Sequence, residues 1–224
     1  LNEPILTKEA AKLNFTNEGG YKDTVRFLKN IMGLWLIQES RRQWRREGNE
    51  VSFDQLETEA LSAAPFKCFI DVDDAAFETA GNMPERVREF CRRTGQYVPE
   101  TRGEVMRCIY QSLALKYKYT FNMLSKISGR EYRRINILGG GIKDKLLCRM
   151  AADACGAEVL AGPAEATVMG NIAVCLSALG EIDDFAGIRK TVSESAELKR
   201  YLPEDSAVWE TAYSDYLKIL KLNM

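Results

Sequence analysis

The run from Ile135 to Gly170, INILGGGIKDKLLCRMAADACGAEVLAGPAEATVMG, constrains the fold more than any other stretch of this chain. Ile135 to Leu138 is a short β-branched run bounded by Gly139, Gly140 and Gly141, and it fits a buried strand. Leu146, Leu147, Met150, Ala151 and Ala154 recur at helical spacing, and Gly156 sits where a helix stop belongs. Glu158 to Ala161 reads as a second strand. Gly162 and Pro163 then turn the chain into another helix, with Pro163 tolerated only near its first turn. Two such strands joined through a helix should be parallel neighbours with a right-handed crossover.

Three glycines at the carboxyl end of a strand have two readings. One is a tight turn without a ligand. The other is a backbone stripped of Cβ atoms so that a ligand can approach, with unpaired N–H groups of the following helix offered to a phosphate. The familiar fingerprints do not choose between them. A dinucleotide pattern needs a further glycine at Asp144, and a phosphate loop needs Gly-Lys followed by Ser or Thr.

Taken together, the GGG turn at Gly139 to Gly141, the Ala152 to Gly156 pattern, and Gly162 to Ala166 with Gly170 resemble the C-terminal domain of the FGGY carbohydrate kinases. The resemblance implies a helix-rich α/β fold of the actin-like, ribonuclease-H-like ATPase architecture, with a βαβα nucleotide-binding unit. It places Gly140 beside the nucleotide, with Gly139 and Gly141 shaping the turn. It also implies that residues 1–224 are the nucleotide-binding half, with a helical insertion at about 49–101. A sugar-binding N-terminal domain is expected upstream of Leu1, and a start at Leu rather than Met suggests a fragment or a processed form.

Composition removes other classes. With 31 basic and 32 acidic residues the net charge is −1, so no broad attraction to nucleic acid or to an acidic membrane is expected. No apolar run reaches membrane-spanning length. There is no histidine, which excludes histidine triads, histidine bases and histidine metal sites within the chain. The six cysteines, Cys68, Cys91, Cys108, Cys148, Cys155 and Cys175, contain no CxxC pair, so a zinc ribbon is not expected. A reduced, cytoplasmic setting is the default.

Elsewhere the chain reads mostly helical. The loop from Asn14 to Gly20 either lines a site or connects elements. Asp23 to Arg46 reads as one helix with Val25, Leu28, Ile31, Met32, Trp35 and Leu36 on an apolar face, and Gly33 within it suggests close packing. Arg41, Arg42, Arg45 and Arg46 in its last turns form either a solvated face or an anion site. FTNEGGY followed by RFLKNIMGLWLIQE is similar to the rhamnulokinase branch of the family. There the asparagine of LKN and the glutamine of the LWLxQ run lie by the nucleotide; here they are Asn30 and Gln38. On one helix they would stand about 12 Å apart, a span a nucleotide can cover. The alternative for each is a polar helix-surface residue.

Asp71, Asp73 and Asp74 hint at a calcium loop, but the glycine and final glutamate of an EF-hand are missing, so a structural role is expected. Short helices follow near Phe53 and Pro84, then a long one from Thr101 to Ile127. Cys91 and Cys108 flank a loop containing Pro99. A helical hairpin there could bring their Cα atoms within the ~4.4–6.8 Å a disulfide needs, or leave two reduced thiols. Ala166, Gly170, Ala173 and Ser177 share a side that should approach a sheet closely. The polar tail from Glu181 carries one amphipathic helix with Trp209, Tyr213 and Tyr216.

The resemblance implies an ATP- and Mg²⁺-dependent kinase acting on L-rhamnulose, with xylulose, fuculose or glycerol types of the family as alternatives. A truncated nucleotide-binding module is the other class. No Asp-Thr-Ala-Ser-like run and no Ser-Gly-Thr-Trp run occurs, so no catalytic base and no metal ligand are assigned to this chain. Asp144 and Asp153 read as solvated helix residues.

Overall fold

A computed structural model describes residues 1–222, which divide into two compact units. The first comprises residues 1–131 with the chain from Ala212 onward, the second residues 132–211.

In the first unit, helix α1 (Lys8–Lys12) is capped by Thr7, whose hydroxyl accepts the Ala10 N–H at 3.1 Å. Strands β1 (Thr16–Gly19) and β2 (Val25–Leu28) then pair antiparallel, Thr16 opposite Leu28 and Gly19 opposite Val25. This corrects the expectation of a helix starting at Asp23. Val25 and Leu28 satisfy helical spacing, but Val25 and Phe27 also alternate. Phe27 finds a tertiary partner in Phe15, with ring centroids 4.9 Å apart. Helix α2 runs only over Trp35–Arg46. Gly33 precedes it, and a Cβ there would meet nothing within 4 Å, so close packing is not its reason.

Side-chain caps set where the next helices begin. Ser52 and Gln55 form a capping box at α3 (Phe53–Ser62), Asn82 caps α4 (Met83–Arg93), and Thr101 with Glu104 boxes α5 (Arg102–Ser128). Gly129 ends α5 at φ +65°, a left-handed position that suits glycine. Helix α3 lies hard against α5. A Cβ on Gly103 would stand 2.5 Å from the Glu59 carbonyl oxygen, so this contact requires glycine. Around α5 the unit buries Leu36, Leu56, Phe77, Phe90, Ile109, Tyr110 and Leu113 completely or nearly so.

The three aspartates of the acidic segment are structural, as expected. The buried Lys116 ammonium lies 3.0 Å from Asp71 and 2.8 Å from Asp73, while Asp73 accepts the Met32 N–H at 2.9 Å. Burial pulls the Lys116 pKa down, but these two carboxylates outweigh it and the net shift is upward. Asp74 caps a short 3-10 turn at Ala75–Phe77 and pairs with Arg93.

The second unit follows the expected order. Strand β3 (Arg134–Ile137), helix α6 (Lys145–Cys155) and strand β4 (Glu158–Ala161) form a parallel βαβ unit, Arg134 opposite Glu158 and Ile137 opposite Ala161. Gly156 closes α6 at φ +61°. Helix α7 (Ala166–Ala178) starts three residues later than Pro163, which therefore belongs to the turn and not to the helix. The close approach expected of α7's small residues is absent: only Ala173 is buried, and a Cβ on Gly170 would meet nothing within 4 Å. Helix α8 (Phe185–Glu194) and strand β5 (Lys199–Tyr201) were not expected; β5 pairs antiparallel with β4, giving the order β3-β4-β5. Helix α9 (Ser206–Leu222) begins in this unit and continues into the first, where Tyr216 meets Phe69 edge-on at 6.2 Å. Among the described residues no helix is long and apolar enough to cross a membrane.

Candidate nucleotide-binding site

The glycine turn is built at the carboxyl end of β3, where the chain makes a 3-10 turn over Gly139–Lys143. Gly139 takes φ +72°, a conformation that side chains rarely adopt. Its N–H donates to the Pro163 carbonyl at 3.1 Å, and the Gly162 N–H donates to the Ile137 carbonyl at 2.8 Å. These two bonds knit the loop after β3 to the loop after β4. Gly141 is held from both sides, its carbonyl accepting the Asp144 N–H at 3.2 Å and its own Cβ position 3.6 Å from Ile137. Gly140 differs from both. Its φ is ordinary, and a Cβ on it would meet nothing within 4 Å. Packing within the chain therefore gives no reason for glycine at 140.

The start of α6 corrects one expectation. Asp144 is its N-cap, and the carboxylate accepts the Leu147 N–H at 2.9 Å. A donor that a phosphate could have used is thus taken, and a negative charge stands where the phosphate would sit. Asp144 is therefore a cap, not a solvated helix residue. Asp153 is not solvated either. It is 7% exposed and accepts the Glu204 N–H at 2.9 Å, and burial raises its pKa above the usual carboxylate value.

Asn30 and Gln38 lie in the first unit. Asn30 is exposed in the segment between β2 and α2, and Gln38 is exposed on α2. Their spacing along a single helix no longer applies, because α2 begins five residues after Asn30. Gln38 is flanked by the buried pair Ile37 and Glu39, so it points away from the side of α2 that packs. The next residue, Glu39, resolves the arginine cluster. Its buried carboxylate accepts the Gly81 N–H at 3.0 Å and pairs with Arg46 at 2.9 Å and Arg42 at 3.2 Å. Burial pushes the Glu39 pKa up, yet these donors outweigh it and hold the carboxyl below its usual range. Arg41 donates to the Val51 carbonyl at 2.6 Å and stacks over Phe53. Three of the four arginines are thereby engaged within the chain.

Cys91 and Cys108 do come together, as free thiols, and a third joins them. The sulfurs of Cys68, Cys91 and Cys108 all lie within 4.8 Å of one another. Thiol hydrogen bonds from Cys108 and Cys68 hold Cys91 below the ordinary cysteine pKa. Cys68 gave no signal in the sequence, because it stands alone in a loop far from both partners.

The chain's relatives agree with this architecture. Residues 1–179 match the family model described as "FGGY family of carbohydrate kinases, C-terminal domain". A rhamnulokinase of Bacteroides thetaiotaomicron is 44% identical over 210 residues, covering 94% of this chain and 42% of the relative. A rhamnulokinase of Bacillus subtilis is 39% identical over 202 residues, covering 90% of this chain and 41% of the relative. Among solved structures, a ligand-bound xylulose kinase from Lactobacillus acidophilus superposes with a TM-score of 0.67 at 14% identity, over 99% of this chain and 44% of that one. A xylulose kinase from Rhodospirillum rubrum gives 0.63 at 17% identity, over 93% of this chain and 42% of that one. The chain thus spans less than half the length of the curated relatives it matches. With the βαβ unit, the glycine turn and the family match in agreement, the chain belongs to the FGGY carbohydrate kinases and carries their actin-like C-terminal domain.

Proposed function

We propose that this chain is the nucleotide-binding part of a cytoplasmic, ATP- and Mg²⁺-dependent sugar kinase that phosphorylates L-rhamnulose to L-rhamnulose 1-phosphate. The similarity to rhamnulokinases along 94% of the chain supports the sugar class. The observation that carries the nucleotide role is Gly140, whose bare backbone faces open space on a turn braced by two inter-loop hydrogen bonds. ATP supplies the phosphoryl group; what this chain supplies is shape and exclusion of charge. The Asp144 carboxylate disfavours phosphate at the start of α6, so Gly140 meets the uncharged base and ribose end of the nucleotide. Gly139 and Gly141 fix the turn, and Asn30 and Gln38, exposed in the first unit, are assigned polar contacts to nucleotide by the family resemblance alone.

The sugar site, the general base and the phosphate-binding turn belong to the sugar-binding domain of the same polypeptide, and the 224-residue chain alone does not turn over substrate. In an oxidising setting, a small-molecule disulfide takes two electrons from Cys91 and Cys108, and the two sulfurs form one bond as both protons leave.

The test is Gly140→Val in the intact kinase. A Cβ at 140 meets nothing within 4 Å in the chain, so the added methyls fall on the nucleotide's approach, and an unchanged thermal midpoint of the variant checks that the fold is kept. Calorimetry should read an ATP affinity lowered about tenfold or more, equivalent to about 1.4 kcal/mol, with sugar affinity unchanged. Unchanged ATP affinity overturns the assignment. Phosphorylation rates for L-rhamnulose against xylulose, fuculose and glycerol decide the sugar.

A further inference from the structure

We propose that Cys68, Cys91 and Cys108 form a buried trithiolate site for a thiophilic d¹⁰ cation, Zn(II) or Cu(I). Three separate elements deliver the sulfurs: the loop after α3, helix α4 and helix α5. All three side chains are buried, with 4%, 0% and 2% exposure. Among the described residues this is the one group of three cysteines and carboxylates whose ligand atoms converge within 4.8 Å. A metal–sulfur bond of about 2.3 Å places bound sulfurs roughly 3.8–4.0 Å apart, so metal binding asks for a contraction of about 1 Å at most. A disulfide uses two of these sulfurs and leaves the third without a role, whereas a metal site uses all three.

The surroundings fit a charged centre better than an inert core. A small cleft lined by Ala64, Lys67, Tyr97, Glu104, Arg107 and Gln111 reaches Cys68 and Cys108, and its two cations outnumber its one carboxylate. Gln111 is 1% exposed, and its Nε2 has no hydrogen-bond partner; the buried Nε of Arg107 also has none. Donors left open beside sulfur suit an anionic metal–thiolate cluster, whose sulfurs accept hydrogen bonds once deprotonated. Each metal–sulfur bond forms as its thiol releases a proton to solvent, and no electrons are exchanged. With no histidine in the chain, the ligand set is all sulfur, the choice that favours Zn(II) and Cu(I) over harder cations.

The test uses the fully reduced 224-residue chain. Co(II), as a spectroscopic substitute for Zn(II), is titrated in, and Cu(I) is offered separately against a chromogenic competitor. We expect one equivalent of Co(II) to give a near-ultraviolet sulfur-to-metal charge-transfer band that Zn(II) abolishes, or one equivalent of Cu(I) to be withdrawn from the competitor. Cys68→Ser should lose this uptake yet still form the Cys91–Cys108 disulfide on treatment with a disulfide oxidant, read by mass and thiol count. Cys175→Ser, at an exposed cysteine outside the cluster, should bind as the parent does. The proposal is overturned if the folded, reduced parent takes up neither metal, or if Cys68→Ser retains full uptake. Should Cys68→Ser not fold, Cys108→Ser and the parent titration carry the same decision. None of these readouts depends on kinase activity.

Discussion

The two units bury their apolar residues by different means. Around α5 the first unit packs large side chains to full burial, Tyr110, Phe77, Phe90, Met83, Ile109 and Leu113 among them, with Phe77 and Phe90 rings 5.8 Å apart. The second unit's interior is smaller-grained around α6, with Ala151, Ala152, Ala154 and Val159 beside Leu146, Leu147 and Met150, and its larger buried members, Ile188, Tyr201 and Trp209, keep 4–6% exposure. Its α7 leaves Val168 and Ile172 more than half exposed, and Leu179 beyond it is 77% exposed. The first unit draws its stability from side-chain interdigitation, where every methylene removed leaves a hole. The second draws it from strand pairing, glycine-closed turns and the caps at Asp144 and Gly156, which hold backbone shape while leaving apolar side chains in water. In that unit the turn at Gly139–Gly141 is held by backbone hydrogen bonds to the loop after β4.

Three substitutions would break or sharpen this contrast. Phe77→Ala in the first unit should have the largest effect, a loss of about 3–5 kcal/mol in the urea unfolding of the chain. A loss under about 1 kcal/mol would mean that the ring-rich core collapses freely into the gap.

Glu39→Gln should come next, at about 1–3 kcal/mol, because the Gly81 N–H and two arginines lose their buried acceptor charge. This effect is pH-dependent, and its sign is fixed by the lowered folded-state pKa of Glu39. The carboxylate's stabilisation is complete above the unfolded value of about 4.3, and it is lost as pH falls through the lower folded value. The gap in urea midpoint between parent and variant should therefore be full near neutrality and close in acid. A gap constant down to the lowest pH at which the chain folds would remove the charge from the explanation.

The smallest effect belongs to the second unit. Ile172→Ser on α7 should change unfolding free energy by less than about 0.5 kcal/mol, since the side chain is 55% exposed. A loss comparable to that of Phe77→Ala would show that α7's apolar side is covered in solution.

What was legible in the sequence is what short-range chemistry decides. The β3–α6–β4 unit could be read because glycine at φ +61° ends a helix by its own conformational freedom, and because apolar spacing separates strand from helix locally. The starts of α3 near Phe53 and of α5 near Thr101 were legible from apolar spacing, and the structure adds why they begin there, in capping boxes of Ser52 with Gln55 and Thr101 with Glu104. At the candidate site, Gly139 and Gly141 were readable as turn-formers, whereas Asn30 and Gln38 came only through family resemblance and were set on a helix that does not reach Asn30.

Contacts distant in sequence decided the rest. Val25 to Leu28 could have been helix or strand, and pairing with Thr16 to Gly19 chose the strand. Lys199 to Tyr201 has no strand pattern of its own; it is a strand because β4 offers it an unpaired edge. Asp153 looked solvated until the chain near Glu204 folded over it. Cys91 meeting Cys108 was legible as a hairpin across the Pro99 loop, but Cys68 joining them had no local trace, since the loop after α3 reaches them only once it has packed beside α4 and α5. Local propensity acts over one or two turns of chain, while burial and pairing act between segments that only the tertiary structure brings together.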